Sequence, residues 1–139
     1  VSAELARVEQ WMYSVLSGDA TISSIVGARI YADEAPQEAA FPLIVFAHIG
    51  NIDILRGGAG SRVSKVIYLV RVVDQNSTVQ GTVKTVADRF DPLLLVGNTT
   101  VGDVKLSTQH DQHHVRRDSE FGIPTVYMGS YYLVFVQPA

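Results

Sequence analysis

Residues 43–55, "LIVFAHIGNIDIL", and 62–74, "RVSKVIYLVRVVD", are two long runs rich in β-branched residues, separated only by the glycine-rich "RGGAGS". Two strands with so short a connection can only turn back on one another, so the sequence predicts a long antiparallel β-hairpin over 43–74. From Val66 to Val73 the apolar residues occupy both alternation phases, which predicts that the middle of the second strand is covered on both faces. The rest of the chain must then build around a sheet.

Residues 2–17 carry Leu5, Val8, Met12, Val15 and Leu16 at helical spacing, with Glu4, Arg7 and Gln10 on the opposite side. Ser2 is the expected N-cap and Gly18 the expected stop. "DATISSIVG" predicts a short second helix capped by Asp19 and closed by Gly27. Helical spacing returns over 79–95 through Val79, Val83, Val86 and Phe90, with Pro92 marking a break or a new turn. Residues 99–115 alternate as a strand with one wet face, and 125–136, "TVYMGSYYLVFV", form an aromatic final strand. Together these predict one α+β domain over 1–139, with a mostly antiparallel sheet and two main helices, 2–17 and 79–95, packed on one face.

The stretch from Gly27 to Pro42 fits neither pattern. A small apolar burst, Ile30 and Tyr31, leads into an acidic segment containing Asp33, Glu34 and Glu38, with Pro36 and Pro42 disfavouring helix before each of them. It reads as a semi-extended arm whose exposed acidic middle is a candidate subunit contact or lumen surface.

Charged residues make up 18% of the chain against a typical value of about 25%, so surface covered by copies of itself or by partners is expected. A net charge of -3 disfavours sequence-specific nucleic-acid binding, which rests on many Lys and Arg contacts to phosphate. Without cysteine there is no disulfide framework and no thiolate metal site. No segment has the roughly 18 consecutive apolar residues of a membrane span, and the N-terminal pattern is amphipathic rather than that of a cleaved signal. No membrane partner is therefore expected.

Motifs that could carry chemistry are few. The loop Arg56, Gly57, Gly58, Ala59, Gly60, Ser61, Arg62 lacks the Gly-Lys-Ser/Thr end and following helix of a phosphate loop, and reads as a basic hairpin tip suited to a partner contact. "QHDQHHVRR" holds three of the four histidines. Strand alternation would place His110 with His114 on one face and Asp111 with His113 on the other, so neither face supplies three ligands. His110, His113, His114, Arg116 and Arg117 are read as a polar strand end at an interface, with a His-dependent metal enzyme as the alternative. The carboxylate pairs Asp33 with Glu34 and Asp118 with Glu120 read as solvated loop charges. Tyr127, Tyr131, Tyr132 and Phe135 read as core or interface, and no Gly-x-Ser-x-Gly elbow is present. No catalytic residue, cofactor or metal is expected.

The stretch "LSGDATISSIVGARIYADEAPQEAAFPLIVF" resembles the start of the tail-completion or tail-terminator proteins of long-tailed bacteriophages and prophages. Asp19, Ile22, Ile25, Val26, Gly27, Arg29, Ile30, Tyr31, Pro36, Pro42, Ile44 and Phe46 carry the likeness, while Ala20 and Leu43 stand where proline and tyrosine are commoner. The resemblance implies a non-enzymatic virion protein at the tail-neck junction, made in the cytoplasm of the host bacterium. It implies a ring, typically a hexamer and able to stay monomeric until it meets the tube, that terminates tail polymerisation and docks the head. The implied partners are other copies of itself, the tail tube protein and the head connector or completion protein. Another phage neck or tail-tube component is the alternative within the same class.

Overall fold

The computed structural model describes residues 2–55, 62–75, 81–118 and 124–138. The chain opens with α1 (Ser2–Ser17), whose Val8, Trp11, Met12 and Leu16 are buried along one stripe. Ser2 lies inside the helix rather than before it. The Gly18 amide bonds to the Ser14 carbonyl at 3.1 Å and closes it.

Asp19 then caps α2 (Ala20–Val26), its carboxylate accepting from the Ile22 amide at 3.1 Å. Arg89 grips the same carboxylate with two N–H groups, at 2.8 and 3.2 Å, so one side chain both starts a helix and ties it to a segment 70 positions away. Those hydrogen bonds hold the Asp19 carboxyl below 3.8. A carboxylate whose pKa is depressed by folding stabilises the fold above its unfolded value, and that contribution is lost as pH falls through the folded value. Asp19→Asn is therefore expected to show a shallower loss of stability than the wild type below about pH 4 in acid titrations followed by circular dichroism. Asp19→Ala should cost about 1 kcal/mol through the lost cap alone.

Gly27, at φ 61, ends α2 in a conformation that side chains resist, and the chain enters β1 (Ile30–Ala32). β1 pairs in parallel with the start of β2 (Leu43–Leu55), which runs antiparallel to β3 (Arg62–Gln75). Next come α3 (Thr82–Ala87), α4 (Phe90–Leu94), β4 (Thr99–Val101), β5 (Val104–Asp118) and β6 (Thr125–Pro138). The six strands form one sheet in the order β1-β2-β3-β6-β5-β4, antiparallel at every junction except β1-β2.

The single helix expected over 79–95 is two short helices, with residues 79 and 80 outside the described ones. The break falls at Asp88 and Arg89, immediately before the helix that contains Pro92. Proline has no N–H to offer the carbonyl four residues back, which is that of Asp88, and its ring crowds that carbonyl. Within the first turn of a new helix the same residue is tolerated, and that is where Pro92 sits.

The four helices among the described residues lie on one face of the sheet. Val8, Met12, Leu16, Ile22, Val26, Val83, Val86, Phe90 and Leu94 pack there against Ile44, Phe46, Tyr68, Val70, Val72, Val126, Tyr132 and Val134. Two buried tyrosines lock the layers together by donating from the sheet to helix carboxylates: Tyr132 to Asp91 at 2.6 Å and Tyr68 to Glu9 at 3.3 Å. Thr108 Oγ1 bonds the Leu94 carbonyl and accepts from the Val96 amide at 2.8 Å, fixing the exit of α4 to β5.

On the other face Leu43, Val45 and Val73 form a second small cluster under Tyr31, Ala35, Ala39 and Tyr127. The arm thus folds back over one corner of its own sheet. Ala35 and Ala39 point down, while Asp33, Glu34, Pro36 and Glu38 remain exposed. Leu69 and Val73 on this face are buried, as the doubly apolar pattern of β3 predicts.

Candidate functional site: the two sheet edges

The sheet is bounded by two long strands, each covered over only three residues. On one side β1 pairs with Ile44, Val45 and Phe46 of β2. On the other, β4 pairs with Val104, Lys105 and Leu106 of β5. Among the described residues, nothing pairs with the outer edge of β2 beyond Phe46 or of β5 beyond Thr108, whose amide donates to the Val96 carbonyl at 3.0 Å. Open edges of this kind are templates for another strand.

The two covered stretches lie at opposite ends. Following the register across the sheet, Tyr31 is level with Val45, Arg71, Gly129 and then His114. In the same way Thr99 is level with Leu106, Val136, Ser64 and Asp53. Where one edge has a short extra strand, the other edge is bare, so the two outlines are stepped and complementary.

Both edge strands carry a register shift, between His48 and Gly50 in β2 and between His110 and Gln112 in β5. The second overturns the expected pairing of the histidines. An inserted residue, Asp111, reverses the alternation beyond it. His110 and His113 therefore share the helix-side face, their ring centroids 4.5 Å apart, and both hydrogen-bond to the buried Ser130 hydroxyl, at 3.0 and 3.3 Å. His114 points to the opposite face, edge-on to Tyr131. No group of three or more His, Asp or Glu side chains is placed to hold a metal among the described residues.

His114 Nε2, like His48 Nε2 in β2, is shielded from solvent and has no hydrogen-bond partner among the described residues. At His114 burial, with the Arg71 and Arg116 guanidinium groups nearby, pushes the pKa below the usual histidine value, so the ring is neutral at pH 7. Beyond it Arg116 and Arg117 are exposed, and Arg116 bonds Asp118 at 3.1 Å. Arg71 and Arg116 both lie over the Tyr127 ring, at 4.7 and 5.6 Å from its centroid.

The last-strand aromatics divide by face. Tyr132 is core, while Tyr127, Tyr131 and Phe135 are half-buried on the face without helices. The hairpin tip from Arg56 to Ser61 lies outside the described residues, as does Glu120, and Arg62 begins β3. Sequence reasoning missed Tyr31 and Val115 as edge residues, because a strand's place in the sheet is set by long-range pairing that its own residues do not announce.

A family of phage tail proteins matches more than half of the chain, which makes it a structural protein of the phage tail or neck. The family is described as tail completion protein gp17, it matches residues 10–90, and the chain belongs to it. The fold is also that of a solved chain from the virion of a native gene transfer agent (GTA) particle. That chain is 14% identical, with a TM-score of 0.73 over 99% of both chains. No curated protein matches the sequence.

Proposed function

We propose that the protein caps the tail tube as a ring, stops tube polymerisation and presents the surface on which the head docks. The observation that carries this reading is the pair of long open edges on opposite sides of one sheet. A subunit with two different, unsatisfied edges is built to sit between two neighbours, and a head-to-tail contact of that kind closes into a ring when its rotation allows. Membership of the tail completion family supports the tail as the place of assembly.

The partners that follow are other copies of the chain, in a ring that we take to be a hexamer, the tail tube protein on one face and the head connector or completion protein on the other. The basic hairpin tip, Arg56 to Arg62, is assigned to one of those two axial contacts. If it is, deleting Ala59 and Gly60 will impair tail-length control or head joining in a complementation assay; normal particles would remove the assignment.

Electron microscopy of particles made without the protein tests the whole reading. Overlong or headless tails are the expected result. Absence of tails altogether would instead make the chain a tube component.

A further inference from the structure

We infer that neighbouring copies join by sheet extension, with β1 and the arm of one copy adding to the open end of β5, residues 112–118, of the next. The inference rests on the ring reading above and specifies the contact within it.

Three features of the chain converge on this pairing. The outlines fit, because β1 stands at the same level of the sheet as His113, His114 and Val115, where β5 has no neighbour among the described residues. The directions fit as well. β1 runs with β2, and three antiparallel junctions make β5 run against β2, so β1 meets the β5 of a copy beside it antiparallel, the better-bonded arrangement.

The faces match residue by residue. Ile30 and Ala32 lie on the helix side, as do His113 and Val115, while Tyr31 and His114 lie on the other. At equal level Ile30 meets Val115, which is 52% exposed in the single chain, and Tyr31 meets His114. That contact offers a phenol hydroxyl to the Nε2 of His114, a shielded nitrogen without a partner among the described residues of the single chain.

The native chain has no cysteine, which makes the test direct. Ala32 and His113 are both exposed and sit at equal level on opposite edges, separated within one chain by four strand spacings, about 19 Å. A chain carrying both Ala32→Cys and His113→Cys, incubated with tail tubes and a short bis-maleimide linker, should give a ladder of covalent oligomers ending at the closed ring. Either single variant should give none beyond dimer. Rings seen by microscopy in the same sample without a ladder would overturn the edge pairing while leaving the ring reading intact. Absence of rings on the tubes would reject the ring reading and the pairing with it.

Discussion

Gly129→Ala should cost the fold at least about 3 kcal/mol, the upper end of what overpacking usually costs and the largest effect we expect of any single methyl group in this protein. Gly129 lies in β6 between Arg71 of β3 and His114 of β5, on the face without helices. A Cβ built there would stand 1.8 Å from the Val70 carbonyl oxygen and 2.6 Å from the Arg71 Cα. Both obstacles are backbone, so no rotamer change relieves them, and β3 and β6 must separate at the centre of the sheet. For a chain of this size that corresponds to a fall in Tm of roughly 10 °C. A thermal melt indistinguishable from wild type would show that the strands pass each other less closely than described.

Tyr132→Phe is the second large effect, expected at about 2 kcal/mol, the range for a buried hydrogen bond to a charged acceptor. Tyr132 has no solvent exposure, and its hydroxyl donates to Asp91 in the first turn of α4. Burial first, and then the Asp91 carboxylate, push the phenol far above its ordinary value, so it stays protonated and able to donate across the accessible pH range. The substitution keeps the packed ring and deletes the one bond that anchors α4 to the middle of β6. Tyr68→Phe is the internal comparison: its bond to Glu9 is longer, 3.3 Å, and its loss should cost less, about 1 kcal/mol. Urea titration of both variants checks the ranking, and equal midpoints for Tyr132→Phe and wild type would refute the anchoring role.

Much of this fold is legible in the sequence because the relevant signals are local. The stripe of α1, the Asp19 cap, the Gly27 stop and the doubly apolar β3 each depend on neighbours a few positions away, and the structure follows them. The break before Pro92 is readable in the same terms, since the carbonyl it disrupts lies four residues upstream, but the helical spacing through Phe90 masks it.

What stays hidden is set by pairing across the sheet. Nothing around Asp111 distinguishes an inserted residue from an ordinary one, yet it decides that His113 rather than His114 joins His110. The acidic arm announces exposure but not that Ala35 and Ala39 settle onto Leu43 and Val45 of its own sheet. The complementarity of the two edges exists only once six strands have been placed in order.

The proposed function puts a closed ring of this tail completion family member on the end of the tail tube. Cryo-electron microscopy of the purified protein mixed with isolated tail tubes tests it most directly. The expected result is a single added ring at one end of each tube, with the sheets of adjacent copies continuous through β1 and β5, and no further tube growth when tube subunits are supplied. Tubes that bind the protein along their length, or that keep elongating past it, would refute the capping ring.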